Sequence, residues 1–190
     1  MYDAILDWPL PYEDLTVETS FGPTYVRRSG GDGEPLVLLH GMSDTSLMWQ
    51  PYVAGLGPDH ALYAVDSMGK PGRTVQTAPM LDARSNADWL AEVLDGLGHD
   101  KVHLVGLSRG GWLALNQAIH APERVSRVTV FDPAGFFRSW RKVRGYLVLG
   151  LLRLARLVPD VEVEIVHTSH GLGLVEPAFL RDRILGHTRS

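Results

Sequence analysis

An α/β fold around a mainly parallel sheet is what this sequence predicts, and two observations carry the expectation. Short runs that are apolar on both faces recur along the chain, as strands covered on both sides of a sheet require. Amphipathic helical segments fall between them, and that alternation implies parallel pairing through right-handed crossovers. Size agrees: 190 residues, 45% hydrophobic and 21% charged, suit one globular unit with a sizeable core.

The elements follow in order. Leu15–Ser20 and Thr24–Arg28 read as strands split by Phe21-Gly22-Pro23, an N-terminal hairpin ahead of the turn Gly30-Gly31-Asp32-Gly33. Pro35–His40 is an apolar run that stops abruptly at Gly41, and Ala61–Val65, Val102–Leu107 and Val125–Phe131 share its character. Between them, Ser85–Leu97 is helical: Trp89, Leu90, Val93, Leu94 and Leu97 make one stripe, Ser85 with Asp88 resembles a capping box, and Gly96 and Gly98 mark the stop. Gly110–Ala121 is a further helix, with Trp112, Leu115 and Ile119 on one face and Pro122 just beyond.

After Ala134 the character changes. Arg138, Arg141, Lys142, Arg144, Arg153 and Arg156 flank a Leu-rich helix without an acid among them, before Asp160, Glu162 and Glu164 balance the charge. Arginines snorkelling from a helix to solvent account for this pattern; a helix for a membrane surface or a partner is the sharper alternative. The longest charge-free piece, Gly145–Leu152, is far short of the ~20 residues that span a bilayer. The N-terminus has no basic leader and no long apolar stretch. A soluble, cytoplasmic protein is expected, without membrane association.

Composition closes other routes. There is no cysteine, which removes disulfide scaffolds, Cys-based zinc sites and cysteine nucleophiles. A net charge of −4 gives no field that would draw nucleic acid. Asp66–Thr74 is Gly-rich but lacks the phosphate-loop order. No cofactor and no metal are expected; His167 and His170 have H-x-x-H spacing but no further clustered ligand. The partner expected is a small-molecule substrate.

The chemistry concentrates in Val102–Trp112, where Gly106, Ser108 and Gly110 form G-x-S-x-G. An apolar strand ends at Ser108 and a helix begins at once. So tight a turn strains the serine backbone, needs small residues two before and two after, and lifts the hydroxyl above the sheet at a helix N-terminus. The plain alternative is a serine N-cap. His40-Gly41-Met42, followed by Trp49, lies where another strand stops. Backbone N–H groups of Met42 and Arg109 are the expected oxyanion donors. His40 reads as a buried loop histidine, and Asp66 as a carboxylate that ends a strand and accepts from loop N–H groups.

With these motifs in view, the sequence resembles the α/β-hydrolase family. The resemblance rests on His40-Gly41-Met42 with Trp49, on Asp66–Thr74 (D-x-x-G-x-G-x-S with Thr74 in the last place), on Gly106–Gly110, and on Phe131-Asp132-Pro133-Ala134-Gly135-Phe136 as the end of a sixth strand leading into a cap. It covers about residues 11–137. It implies a nucleophilic Ser108, an oxyanion hole at Met42 and Arg109, structural roles for His40, Gly41, Gly106 and Gly110, and action on an ester or related carbonyl compound. A core over 1–137 and a helical, cap-like segment over 138–190 are the expected divisions.

The family orders its triad Ser…Asp/Glu…His along the chain. Nothing after Val158 reads as the strands that carry the last two members. Gly186-His187 is only superficially similar. His103 lies ~16 Å down its strand from Ser108, and His120 ~18 Å along the following helix. His167 and His170 follow Ser108 in order, and Asp132, at a strand end, is the candidate acid. The expectation is therefore a hydrolase truncated to six strands, in order 1-2-4-3-5-6 with 125–131 at an exposed edge, lacking the part with the catalytic histidine. The alternatives are a catalytically inactive binding protein of the same fold, or an acyltransferase or haloperoxidase-like member.

Overall fold

The computed structural model describes residues 7–133, 161–166 and 176–185. Seven strands form one sheet: β1 (Tyr12–Val17), β2 (Thr24–Gly30), β3 (Glu34–Leu39), β4 (His60–Val65), β5 (Val102–Leu107), β6 (Val125–Phe131) and β7 (Glu162–Val166). Among the described residues four α-helices accompany them: α1 (Gln50–Leu56), α2 (Ala83–Gly96), α3 (Arg109–His120) and α4 (Pro177–Leu185). The sheet order is β1-β2-β4-β3-β5-β6-β7. β1 pairs antiparallel with β2, and β2 antiparallel with β4. Every other pairing is parallel.

This corrects the six-strand expectation. Val125–Phe131 is not an edge, because β7 pairs with it in parallel from Arg127↔Glu162 to Phe131↔Val166. The sheet therefore does not stop where a chain truncated after its sixth strand would stop. β7 is the apolar–acidic alternation Val161-Glu162-Val163-Glu164-Ile165-Val166, the period-2 pattern of a strand with one drier face. Its acids are paired: Glu162 with Arg127 at 2.6 Å and Glu164 with Arg183 of α4 at 3.1 Å. Charged side chains on the outermost strand also discourage edge-to-edge association.

Alternation along the strands divides the core. Leu36, Leu38, Leu62, Val105 and Phe131 face one side, against Trp49, Val53 and Leu56 and against Leu180 and Ile184 of α4. Val37, Leu39, Val65 and Leu104 face the other, against Trp89, Leu90, Val93 and Leu94 of α2 and Leu113 and Ala114 of α3. Helices cover both faces, which is why β3, β4 and β5 are buried almost throughout.

Two boundaries differ locally. The first strand is Tyr12–Val17 rather than Leu15–Ser20. α2 starts earlier than expected because Asp82 is its N-cap: its carboxylate accepts from the Ser85 N–H and the Ser85 hydroxyl completes the box. Asp88 instead pairs with Arg84 at 2.8 Å. The arginine-rich stretch of 138–156 lies outside the described residues.

Candidate active site

Ser108 stands alone between β5 and α3, with φ 49° and ψ −109°. An ordinary N-cap is extended and its side chain accepts from the next turn; Ser108 is neither extended nor bonded in that way. The strain is held from both sides. The Ser108 N–H donates to the Phe131 carbonyl at 2.9 Å, and its own carbonyl accepts from the Trp112 N–H at 3.0 Å.

The flanking glycines are required by close approach. A Cβ on Gly106 would run into the backbone of Gly110 and Gly111, and one on Gly110 would run into the carbonyls of Leu39 and His40. The elbow therefore presses directly on the end of β3. That contact brings the loop His40-Gly41-Met42 to the first turn of α3. N–H groups of a first helical turn have no acceptor within the helix, and Arg109 supplies the first of them. Met42, 55% exposed, follows two residues after His40.

His40 shapes this loop. It is fully buried; Nδ1 donates to the Gly41 carbonyl at 2.6 Å and Nε2 accepts from the Ser67 N–H at 2.9 Å. Acceptance at Nε2 needs the neutral imidazole, with its proton on Nδ1. Burial moves its pKa in the same direction, downward. Asp66, also buried, joins the two loops beside it: Oδ1 accepts from the Ser46 N–H at 2.7 Å and Oδ2 from the Arg73 N–H at 2.8 Å.

Asp132 follows β6 with φ 42°. Its N–H donates to the Val166 carbonyl at 3.0 Å, at the end of β7. Pro133, next to it, packs on Gly111 of α3, where an added Cβ would come within 3.1 Å of the proline Cβ. Ser108, Asp132 and Val166, the last residue of β7, therefore lie side by side at the same edge of three adjacent parallel strands, each about 4.8 Å from the next.

Of the described histidines, none is aimed at Ser108. His103 bonds Thr129 at 3.0 Å inside the sheet, and burial, then Arg127, pushes its pKa down to about 3. His120 bonds the Asn116 carbonyl at 2.9 Å, His60 faces the Leu56 carbonyl at 3.3 Å, and His99 lies edge-on to Tyr63 at 4.9 Å. His167, His170 and His187 lie outside the described residues, although His167 directly follows β7 in sequence. A partner of the elbow that the sequence did not single out is Asn86 of α2, whose Oδ1 accepts from Arg109 Nη2 at 2.7 Å; a lone Asn in a helix carries no pattern. Among the described residues no group of three or more His, Asp or Glu could hold a metal ion, and no helix is long and apolar enough to cross a membrane.

Comparison with known proteins places these features. The family model described as alpha/beta hydrolase fold matches residues 34–175. Carboxylesterase YbfK of Bacillus subtilis (strain 168) is 40% identical over 141 residues, 73% of this chain and 48% of that protein. A 2-hydroxy-6-oxo-6-phenylhexa-2,4-dienoate hydrolase of Burkholderia cepacia is 38% identical over 159 residues, 82% of this chain and 55% of that protein. The chain thus spans about half the length of the curated relatives it matches. Among solved structures, carboxylesterase CesB (YbfK) from Bacillus subtilis aligns with a TM-score of 0.79 and 26% identity, over 94% of this chain and 92% of that one. Naproxen esterase from the same organism has the same fold, with a TM-score of 0.79 and 24% identity over 96% and 93% of the two chains. β7, paired beyond β6, and α4 after it overturn the expectation of a chain truncated after its sixth strand. From residue 34 to residue 175, and through the elbow at Ser108, this chain belongs to the α/β-hydrolase fold family.

Proposed function

We propose that the chain is a serine hydrolase acting on a carboxylic ester or a related carbonyl substrate, with Ser108 as the nucleophile. The observation that carries this reading is the serine at φ 49°, without a capping bond, wedged by Gly106 and Gly110 against the end of β3. A strained serine held at a helix N-terminus is the geometry of a nucleophile elbow.

In this reading, Ser108 Oγ attacks the ester carbonyl carbon while its proton passes to a histidine base. The N–H groups of Arg109 and Met42 receive the oxyanion that forms. Collapse expels the alcohol, which takes the proton back from the base. Water, activated by the same base, then attacks the acyl-enzyme and releases the acid and the free serine. We assign the base to His167 or His170, which follow β7 in the chain, and the orienting acid to Asp132. What supports the assignment is topology: β7 is parallel to β6, and Val166, the residue before His167 in the chain, ends level with Asp132 at the edge where Ser108 stands. The relatives' names, a carboxylesterase and a 2-hydroxy-6-oxo-6-phenylhexa-2,4-dienoate hydrolase, support hydrolysis of a carbonyl compound without fixing the acyl group.

A fluorophosphonate probe tests the reading. The chain should label covalently, and Ser108→Ala should abolish labelling while the urea midpoint holds. Whichever of His167→Ala and His170→Ala removes the base should slow labelling and ester turnover by ~10³-fold or more. Labelling that survives Ser108→Ala would refute the assignment.

A further inference from the structure

We propose that Arg109, beyond lending its N–H, is a specificity residue: its guanidinium receives a carboxylate on the acyl side of the substrate, so the preferred ester is an anionic half-ester of a dicarboxylic acid. The inference rests on the reading of Ser108 as nucleophile, since Arg109 follows it directly, with Cα atoms about 3.8 Å apart.

The partners of the guanidinium are the argument. Nη2 donates to Asn86 Oδ1 at 2.7 Å, and the group lies over the Trp112 ring at 4.4 Å. Both partners are neutral. Among the described residues no carboxylate pairs with Arg109, whereas Arg27, the most deeply buried arginine described, has Asp14 at 2.8 Å. Arg109 is half-buried, and burial lowers its pKa with no charge acting in the opposite direction. A cation withdrawn from water without a counter-ion is unfavourable, and an aliphatic side chain would fill the same place without that penalty.

The group is also held ready. Asn86 Nδ2 donates to the Asp82 carbonyl at 2.7 Å, which turns Oδ1 toward Arg109. Trp112 is placed one turn into α3, where its backbone N–H donates to the Ser108 carbonyl. A guanidinium offers five N–H donors in a planar fork. Asn86 takes one, and the fork matches a carboxylate in charge and shape. Preorganisation of this kind lowers the ordering penalty of binding.

Two esters of equal length test the proposal: mono-4-nitrophenyl glutarate and 4-nitrophenyl pentanoate, which differ by a carboxylate in place of a methyl group. The ratio of their kcat/KM values should favour glutarate in the native chain. It should fall about tenfold or more in Arg109→Gln and in Arg109→Met, the effect of losing a charge-assisted hydrogen bond, and recover in part in Arg109→Lys. Because each ratio is taken within one variant, a general loss of activity cancels. As a second readout, Ser108→Ala should bind glutarate by calorimetry, and Ser108→Ala with Arg109→Gln should bind it far more weakly. A ratio and a glutarate affinity indifferent to Arg109 would overturn the proposal. Pentanoate hydrolysis that persists in Ser108→Ala would instead refute the nucleophile, so the two failures are told apart.

Discussion

Gly110→Ala sets two effects of opposite sign against each other. Alanine is the better helix former by up to ~1 kcal/mol, and Gly110 lies in the first turn of α3. On that ground alone the variant should be more stable. The contact geometry says otherwise. The added Cβ would overlap the Leu39 carbonyl oxygen and lie 2.8 Å from the His40 carbonyl oxygen. These are backbone atoms at the end of β3, a strand hydrogen-bonded to β4 on one side and β5 on the other. They cannot yield as a flexible side chain would, so the upper part of the overpacking range, ~3 kcal/mol, applies. The net expectation is a loss of ~2 kcal/mol, or a urea midpoint lower by roughly 1 M for a slope near ~2 kcal/mol/M. Relief of the overlap must lift the start of α3 off β3, which moves the Arg109 N–H away from the Met42 loop. Fluorophosphonate labelling of the folded variant should therefore slow as well. Gly98→Ala is the control: its φ of 76° strains an alanine, but nothing lies within 4 Å of the new Cβ. It should lose ~1 kcal/mol without affecting labelling. A Gly110→Ala chain with the native midpoint and labelling rate would refute the close-approach argument.

Two further outcomes follow from the buried charges and histidines. His103 has its pKa lowered to about 3 by burial, so the unfolded chain binds its proton first as pH falls. The stability from neutral His103 is full above its ordinary pKa of 6.5 and is lost as pH falls toward 3; urea midpoints should report ~2 kcal/mol less stability at pH 5 than at pH 7, much of it removed by His103→Asn. His40 acts in the same direction. Asp14→Ala leaves Arg27, 2% exposed, without the carboxylate it meets at 2.8 Å and 3.1 Å. Asp14 itself is partly wet, so a loss of ~2–3 kcal/mol is expected rather than the full range for a buried pair, with most of it recovered in Asp14→Ala with Arg27→Met; equal stability of native and Asp14→Ala chains would count against that pair.

What the sequence made legible was local. The runs of β3, β4, β5 and β6 are apolar on both faces and bounded by breakers, so a short window suffices to find them. α2 and α3 carry their stripes within single segments. The α2 cap is a local ambiguity too: Asp82 and Ser85 satisfy the capping pattern as well as Ser85 and Asp88 do, and the structure uses the first pair. β7 is hidden in the sequence for a different reason. A search for strands covered on both faces, as at the centre of the sheet, passes over Val161–Val166, because alternate glutamates break the apolar run. At the outermost position one face is wetter, and alternation is the right signature. The acids that hid the strand are the groups that fasten it, to Arg127 of β6 and Arg183 of α4.

The same distinction explains why half of the candidate site could be read from sequence. An elbow is a local object: five residues, two obligatory glycines and one strained serine, with its oxyanion donors on a backbone turn. The partners of that serine are matters of strand order. Between β6 and β7 lie 30 residues, from Asp132 to Val161, and nothing in their composition says that the chain returns to pair with Val125–Phe131. Once that pairing is known, β5, β6 and β7 are parallel, consecutive in the chain and adjacent in space. Chain order then becomes spatial order along one edge: Ser108, Asp132 and Val166. In the proposed assignment, the Ser…Asp…His sequence of the family is what three neighbouring parallel strands deliver. It also sets the proposed acid, Asp132, on the strand between the one that ends at Ser108 and the one that ends at Val166.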